Sequence, residues 1–421
     1  MGEGDLFVAL KGERFDAHEF VVDALNKGAV LAIVRDDFLS NDPRVIRVPD
    51  TLAALGQLAK AWRDQLEIKV VGITGSSGKT TVKEMMASIA RVGFGKAAVL
   101  ATQGNLNNDI GLPLTLLQLT AAHKVAIIEM GMNHFGELTY LTHLARPDVA
   151  LVNNALRAHV GCGFDGVADI ARAKSEIYAG LQADGLALIP CEDANAATFV
   201  DATQSKKTQT FGLHQGDVHA ENIVLAPLSS RFDLVAAAGR QAVTLPTAGA
   251  HNVYNAVAAA SMALALGLSL QNIAQGLAQF SNISGRLQVK SAPNGARVLD
   301  DTYNANPDSM KAALSVLAQF EAPRFFVMGD MGELGEGAEA LHVEVGLFAQ
   351  SVGIEVFYAL GAMSQAAVTA FGSGAEHFAS VEELILALQQ NVPADATVLV
   401  KGSRFMKMER VVQALVDNQS R

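Results

Sequence analysis

One stretch constrains the fold of this chain more than any other, a glycine loop between a strand pattern and a helix pattern. Residues 68–74 are mostly apolar and β-branched, which predicts a strand buried on both faces. Residues 75–81 read GSSGKTT, and the apolar residues that follow recur at helical spacing. Strand, glycine loop and helix in this order form the arrangement that binds the phosphates of a nucleotide.

The residues of this loop suit phosphate binding for separate physical reasons. Gly75 and Gly78 are free to adopt backbone angles closed to other residues, so several N–H groups can point at one anion. Lys79 is long enough to reach a β- or γ-phosphate, and the hydroxyl of Thr80 is a ligand for Mg²⁺. The loop is a shortened variant, because Ile73 stands where the strict pattern requires glycine. The alternative is a glycine-rich turn that merely begins a helix.

The rest of the chain predicts an α/β protein of three domains, since 421 residues are too many for one core. Apolar stretches that end near positions 129, 153 and 190 predict parallel strands, with helices between them on both faces of one sheet. Residues 207–247 are rich in strands and turns, which predicts an antiparallel insertion. After a polar, glycine-bearing segment near 280–289, strands and helices alternate again.

We therefore expect a small N-terminal α/β module, a central P-loop ATPase domain with a parallel sheet, and a C-terminal Rossmann-like α/β domain. The expected bounds of these domains are 1–66, 67–284 and 285–421.

Composition excludes several other classes of protein. The net charge of −11 argues against a general nucleic-acid or anionic-membrane surface. Cys162 and Cys191 belong to no CxxC or His-rich pattern, so neither a disulfide scaffold nor structural zinc is expected. The apolar run 256–268 is too short to span a bilayer, and no signal peptide is evident. We expect a soluble, cytoplasmic monomer without nucleic acid or membrane insertion.

Three residues near the predicted central sheet have both a functional and a structural interpretation. Glu129 ends a strand at the edge where open α/β sheets bind ligands, so its carboxylate could hold Mg²⁺; a solvent-facing acid is the alternative. His159 follows the next strand, and by itself it is interpreted as a loop histidine because Mg²⁺ prefers oxygen. Lys174 lies in a helical segment whose structural interpretation is a solvated face.

Three polar loops are open to the same two interpretations. Residues 104–111 contain three asparagines, which favour turn chemistry over ligand binding. In residues 300–307 the acids could accept hydrogen bonds from a ribose, while Asn306 before Pro307 fits a helix N-cap, and both could hold. Residues 401–404, KGSR, suit capture of a carboxylate as well as they suit a strand-to-helix turn.

Taken together, these motifs resemble the ATP-dependent Mur ligases of bacterial cell-wall synthesis, and the resemblance covers nearly the whole chain. It rests on eight segments in this order: TGSSGKTT at 74–81, GNLNNDIGLP at 104–113, EMGMN at 129–133, ARAKSEIY at 171–178, HNVYNA at 251–256, SGR at 284–286, DDTYNANPDSM at 300–310 and MGDMGELG at 328–335. The NANPDS segment separates one branch of the family from its sister ligases.

The resemblance implies roles for individual residues. ATP would be bound by Gly75, Ser76, Ser77, Gly78, Lys79, Thr80, Thr81, Asn255, Arg286 and Asp301, with Lys79 on the γ-phosphate, Asn255 on the adenine, Arg286 on the phosphates and Asp301 on the ribose. Mg²⁺ would be held by Thr80, Glu129, His159 and Lys174, the last as an N-carbamate whose oxygens suit the metal. Lys79, Glu129, His159 and Lys174 would be catalytic. Substrates would contact Asn107, Asn108, Asn304, Asn306, Lys401, Ser403 and Arg404.

The activity implied by this resemblance is an ATP-dependent, ADP-forming amide ligation. The chain would add D-alanyl-D-alanine to UDP-N-acetylmuramoyl-tripeptide through an acyl phosphate, in peptidoglycan precursor synthesis. The first domain would bind the UDP end, the middle domain ATP, and the last would close over the nucleotide and bind the dipeptide. Alternatives are a sister ligase that adds a diamino acid, a P-loop ATPase without ligase activity, and an inactive binding protein.

One departure from the family pattern concerns the N-terminal domain. The family usually has a Ser/Thr-Asp-Ser/Thr-Arg segment before the Gly-Asp-Leu-Phe strand, near the uridine diphosphate. Here that strand is residues 4–7, and no such segment precedes it. We expect the sequence to begin inside the first domain, which would weaken binding of the UDP substrate.

Overall fold

The computed structural model describes residues 1–13, 15–158, 160, 161, 163–281 and 283–417. It confirms the α/β class and the division into three packed units. The first unit is a parallel sheet of order β1-β2-β3. Its elements are β1 (Leu6–Val8), a 3₁₀ turn (Ala17–Phe20), α1 (Val21–Asn26), β2 (Leu31–Arg35), β3 (Val45–Val48) and α2 (Thr51–Asp64).

Helix α2 packs against the next unit, although it falls inside the predicted first domain. The indole N–H of Trp62 donates to the carbonyl of Leu119 at 2.9 Å. The buried guanidinium of Arg63 donates to the carbonyl of Ala145, also at 2.9 Å. Because these bonds are buried or half-buried, they fix the first unit on the second.

The central unit is a six-stranded parallel sheet of order β5-β6-β4-β7-β8-β9, with helices on both faces as predicted. Strand β4 is buried and sits in the middle of this sheet, so the glycine loop leaves its carboxyl end. The elements are β4 (Lys69–Thr74), α3 (Lys79–Phe94), a 3₁₀ turn (Lys96–Ala98), β5 (Val99–Ala101), α4 (Gly111–Leu116), β6 (Val125–Glu129), α5 (Glu137–Ala145), β7 (Val149–Val152), α6 (Val167–Ser175), a 3₁₀ turn (Glu176–Gly180), β8 (Leu186–Pro190), α7 (Ala196–Asp201) and β9 (Lys207–Phe211).

The predicted antiparallel insertion over 207–247 is partly wrong. Strand β9 pairs in parallel with β8, with Leu186 opposite Lys207, and therefore forms an edge of the central sheet. Only β10 (His219–Ala226), β11 (Ser229–Ala236) and β12 (Gly239–Leu245) form an antiparallel sheet. A short edge strand has the same pattern in either kind of sheet, so its partner could not be read from the sequence.

Two helices follow the small sheet and cover one face of the central sheet together with α3. They are α8 (Ala250–Ala265) and α9 (Leu270–Ala278), and their buried residues share one core with α3. The glycine of α9, Gly276, lies so close to α3 that an added Cβ would stand 2.4 Å from the Cα of Ile89. This close packing fixes the helix that begins at the glycine loop.

The C-terminal unit is a second α/β sheet, of order β13-β14-β18-β15-β16-β17. All its strand pairs are parallel except β13 with β14. The elements are β13 (Gln288–Ser291), β14 (Arg297–Asp301), α10 (Pro307–Leu317), β15 (Arg324–Gly329), a 3₁₀ turn (Gly335–Gly337), α11 (Ala338–Ser351), β16 (Val356–Leu360), α12 (Ser364–Phe371), β17 (Ala375–Phe378), α13 (Val381–Asn391), β18 (Thr397–Lys401), a 3₁₀ turn (Arg404–Met406) and α14 (Glu409–Val416). In the described part of the chain, every helix is too short or too polar to cross a bilayer.

Candidate active site

A cavity of about 930 Å³ lies where the three units meet. Its wall contains the glycine loop, the loop after β5, the end of β6, the start of α8, the segment after β14 and the residue that ends β18. The predicted site residues in this wall are Ser76, Ser77, Gly78, Lys79, Thr80, Thr81, Asn107, Asn108, Glu129, Asn255, Arg286, Asp301, Asn304, Asn306 and Lys401. The lining of this cavity does not include Gly75, Lys174, Ser403 or Arg404.

The glycine loop has the conformation that its sequence predicted. Gly78 has φ +81° and is the N-cap of α3. The helix therefore begins at the cavity, and the free N–H groups of its first turn point toward it. An added Cβ at Gly78 would lie 2.5 Å from Oδ1 of Asn255 and 2.6 Å from Nδ2 of Asn153. Glycine is required here both for the backbone angle and for the space.

Asparagines that follow β7 hold this loop from behind. Asn154 accepts from the backbone N–H of Ser77 at 2.9 Å and donates to the carbonyl of the same residue at 3.2 Å. Asn153 donates to that carbonyl at 2.9 Å and to Oδ1 of Asn255 at 3.0 Å. Asn255, expected at the adenine, therefore lies directly beneath the loop. The sequence analysis missed Asn153 and Asn154, although their place after a parallel strand was a usable signal.

Lys79 is held by the loop itself. Its ammonium donates to the carbonyl of Gly75 at 2.6 Å. Burial lowers the pKa of Lys79, the carboxylate of Glu129 opposes this shift, and Arg286 adds to it. A neutral carbonyl partner leaves the charge of this ammonium uncompensated, which suits a phosphate ligand.

Glu129 is buried rather than solvent-facing, and one of its oxygens accepts no hydrogen bond from a described residue. The side chain is 2% exposed, and Oε1 accepts from Nδ2 of Asn107 at 2.9 Å. Oε2 is buried without a hydrogen bond from any described residue, and the ammonium of Lys83 stands 4.0 Å away. A buried, unsatisfied carboxylate oxygen is costly unless a cation binds it.

This arrangement fits Mg²⁺ better than a metal that needs a full protein cage. No group of three or more His, Cys, Asp or Glu side chains gathers as a metal site among the described residues. Mg²⁺ is commonly bound by one or two carboxylates with waters and substrate phosphates. Glu129 and the hydroxyl of Thr80, which accepts from Nη2 of Arg286 at 3.4 Å, match that requirement.

Lys174 is not on a solvated face, and that interpretation was wrong. It is 2% exposed on α6, and its pKa lies well below the usual value because of burial and, next, the positive charge of Lys79. A buried amine with a lowered pKa is neutral more of the time and hence nucleophilic. His159, its predicted partner at the metal, lies outside the described residues.

The segment after β14 brings the C-terminal unit onto the glycine loop. Asn306 caps α10 in a capping box with Ser309, which confirms the predicted N-cap. Its Nδ2 also donates to the hydroxyl of Ser77 at 3.0 Å. The guanidinium of Arg286 stacks on the ring of Tyr303 at 4.2 Å, and this stacking directs it toward Thr80. Asn306 therefore acts as a cap and as a contact between two units.

Lys401 and Asp301 form a buried ion pair at 2.6 Å. The ammonium also donates to the carbonyl of Asn304 at 2.9 Å, and burial lowers its pKa while Asp301 opposes the shift. Ser403 donates to Ala305 and accepts from the N–H of Gly332, whereas the exposed Arg404 pairs with Glu409. Of the three residues expected to capture a carboxylate, only Lys401 lines the cavity, and its charge is already paired.

The asparagines of residues 104–111 divide between the two interpretations. Oδ1 of Asn108 accepts from the N–H of Gly111 at 2.9 Å, which confirms turn chemistry at that position. Asn107 instead reaches across to Glu129 and orients the carboxylate. Both side chains still border the cavity.

Comparison with known proteins identifies the family. Residues 1–63, 73–263 and 285–404 match the models of the Mur ligase family catalytic domain, the Mur ligase middle domain and the Mur ligase glutamate ligase domain. A UDP-N-acetylmuramoyl-tripeptide–D-alanyl-D-alanine ligase of Escherichia coli is 43% identical over 99% of this chain and 91% of its own length. This chain belongs to the Mur ligase family.

Solved structures of Mur ligases have the same fold. The MurF crystal structure from Acinetobacter baumannii superposes with a TM-score of 0.92 at 42% identity, covering 98% of this chain and 91% of that one. MurF from Thermotoga maritima, solved in complex with ADP, superposes with a TM-score of 0.88 at 28% identity, covering 99% of this chain and 95% of that one. As a Mur ligase, this chain depends on ATP.

Proposed function

We propose that this chain is the Mur ligase that joins D-alanyl-D-alanine to UDP-N-acetylmuramoyl-tripeptide, forming ADP and phosphate in peptidoglycan precursor synthesis. The observation that carries the proposal is the bond from Asn306 to Ser77. Asn306 belongs to the NANPDS segment, which distinguishes this branch of the family from its sister ligases. Its bond connects that segment to the phosphate loop, so the dipeptide and ATP would meet in one cavity. The relatives that match nearly the whole chain carry this activity in their names.

The proposed reaction has two steps. An oxygen of the terminal carboxylate of the tripeptide attacks the γ-phosphorus of ATP, the bond to the β–γ bridging oxygen breaks, and ADP leaves. The free amine of D-alanyl-D-alanine then attacks the acyl phosphate, loses a proton, and expels phosphate as the amide forms. Both steps bring anions together, so positioning and charge neutralisation are the main tasks of the protein.

The residues around the cavity supply that neutralisation. Lys79, the N–H groups at the start of α3, and Arg286 would contact the phosphates. Glu129 and Thr80 would hold Mg²⁺, which would neutralise phosphate charge when bound. Lys174 as a carbamate, together with His159, would support a second ion. Asn255 would contact the adenine and Asp301 the ribose. Asn107, Asn108 and Asn304 would contact the acceptor and the dipeptide.

A Lys79→Ala variant tests the proposal. The loss of the phosphate-binding ammonium should lower phosphate release by a factor of about 10²–10³ when ATP, tripeptide substrate and dipeptide are all supplied. Lys207→Ala is the matched control, since Lys207 lies on the edge strand β9 and pairs with the exposed Asp184. Full turnover by Lys79→Ala would contradict the assignment.

Substrate choice separates the alternatives. The proposed ligase should release phosphate with D-alanyl-D-alanine and fail with diaminopimelate or lysine, whereas a sister ligase would show the reverse. ATP hydrolysis that needs no amine acceptor would instead indicate a P-loop ATPase. Omission of the UDP substrate from each assay shows whether phosphate release depends on that substrate. We also infer a monomer acting in the cytoplasm, which light scattering and cell fractionation would test.

A further inference from the structure

We propose that Arg157 is a positioning residue that holds the C-terminal unit closed over the phosphate loop and thereby sets the affinity for ATP and dipeptide. This inference rests on the proposed function for its kinetic consequence, although the structural part stands without it. Arg157 lies in the loop after β7, outside the residues that the motifs single out.

The guanidinium of Arg157 binds two carboxylates of the C-terminal unit at once. It donates to Asp308 from Nη2 at 2.6 Å and from Nε at 3.4 Å. It donates to Glu344 from Nη1 at 2.8 Å and from Nη2 at 3.0 Å. The backbone N–H of Arg157 adds a bond to Asp308 at 3.2 Å. A planar fork with five donors suits this double contact, which the ammonium of lysine could not reproduce.

The contact is partly shielded from water, so it contributes more binding free energy between the units than an exposed ion pair would. The three side chains are 29%, 27% and 33% exposed for Arg157, Asp308 and Glu344. The pKa of Glu344 falls to about 2, chiefly because of its hydrogen bonds to Arg157. Exposed pairs contribute little, whereas a bidentate, half-buried network is held more firmly.

The two carboxylates belong to separate helices, so one side chain fixes both. Asp308 is in the first turn of α10, two residues after Asn306 and its bond to the phosphate loop. Glu344 is in α11 and is bonded to Lys311 of α10 as well. On the other side, Asn154, three residues before Arg157, holds the backbone of Ser77. The bridge therefore connects the loop after β7 to the start of α10, and both of these segments hydrogen-bond Ser77 of the phosphate loop.

A backbone contact beside the bridge shows how closely the units approach. An added Cβ at Gly161 would lie 2.6 Å from the Cα of Gly335, and one at Gly335 would lie 2.7 Å from the Cα of Gly161. Both positions therefore accept only glycine in this arrangement. Arg157, four residues before Gly161, provides a charged contact between the same two units.

Loss of the bridge should alter affinity more than maximal rate. A ligand that contacts both units binds the closed state, so its apparent affinity falls as the fraction of closed molecules falls. We expect Arg157→Met to raise the KM for ATP and for the dipeptide about fivefold to tenfold, with kcat within about twofold of wild type. High salt should raise the KM of wild type toward that of the variant.

A matched arginine allows loss of closure to be separated from loss of an ion pair. Arg324 makes a two-point contact with Glu355, at 2.6 and 3.1 Å, entirely within the C-terminal unit. Arg324→Met should leave both KM values unchanged. Arg157→Lys should fall between Arg157→Met and wild type, because lysine keeps the charge and loses the fork. Lys311 still pairs with Glu344 in the Arg157 variants, so folding should be retained.

Small-angle scattering tests the structural claim without any enzyme assay. Ligand-free Arg157→Met should show a larger radius of gyration than wild type and Arg324→Met, and saturating ADP should reduce the difference. Scattering identical to wild type, or KM values unchanged in Arg157→Met, would overturn the inference. If scattering changes but no ligation occurs even in wild type, the proposed function fails while the positioning role of Arg157 stands.

Discussion

Replacing Gly78 by alanine tests the phosphate cradle most directly, because two separate costs can be read from the structure. The residue has φ +81°, where an L-residue with a Cβ loses about 1–2 kcal/mol. The new methyl group would also stand 2.5 Å from Oδ1 of Asn255 and 2.6 Å from Nδ2 of Asn153, the two atoms that bond each other. Separating that buried pair costs about 0.5–1.5 kcal/mol more.

Gly136 offers a control with the same backbone conformation and no steric conflict. It has φ 87° and ψ −21°, against φ 81° and ψ −9° at Gly78, and each residue is the N-cap of a helix in the central unit. A Cβ at Gly136 would meet no atom within 4 Å. Gly136→Ala should therefore cost about 1–2 kcal/mol and Gly78→Ala about 1.5–3.5 kcal/mol.

Thermal unfolding and ADP binding, both followed by calorimetry, provide the measurements. For a domain the size of the central unit, each kcal/mol shifts the unfolding midpoint by about 2–4 °C, so Gly78→Ala should melt about 1–6 °C below Gly136→Ala. Displacement of the loop should also weaken ADP binding by Gly78→Ala more than about tenfold relative to wild type. Equal midpoints for the two variants, or unchanged ADP affinity in Gly78→Ala, would refute the reasoning.

Two other predictions concern basic side chains whose pKa is lowered. Because the pKa of Lys174 is lowered, its neutral amine should take up ¹³C-labelled CO₂ near neutral pH and give a carbamate NMR signal that fades as pH falls. Lys174→Arg should lack this signal, and a full signal in that variant would place the carbamate elsewhere. Burial lowers the pKa of His251 to about 4 from 6.5, so the unfolded chain binds more protons between those values. The stabilisation present above about pH 6.5 should be lost as pH falls to about 4, and unfolding midpoints of His251→Gln should drop less over that range than those of wild type. Parallel midpoint curves would contradict this.

Local features of the site followed from the sequence because short-range physics determines them. The loop at 75–81 and its helix needed only the glycines and the spacing of apolar residues. The N-cap at Asn306 needed only an asparagine before a proline. The resemblance to Mur ligases used the order of such local segments along the chain.

Features that depend on distant partners were missed or misplaced. The helical pattern around Lys174 gave no sign that the amine is buried near Lys79, since burial of α6 depends on what packs over it. Capture of a carboxylate was one of two interpretations for Lys401, yet Asp301 from another strand pairs with its ammonium. Asn153 and Arg157 belong to no motif, and their partners Asn255 and Asp308 lie 102 and 151 residues away in sequence.

The sequence by itself determined that a nucleotide loop exists, where it lies, and which family the chain resembles, because glycine conformations, caps and periodicity act within a few residues. Tertiary structure alone decided that β9 joins the central sheet, that Glu129 lines the cavity and has one buried oxygen to which no described residue donates a hydrogen bond, and that Arg157 bridges two units. Strand pairing, desolvation and contacts between domains depend on atoms brought together only when the whole chain has folded.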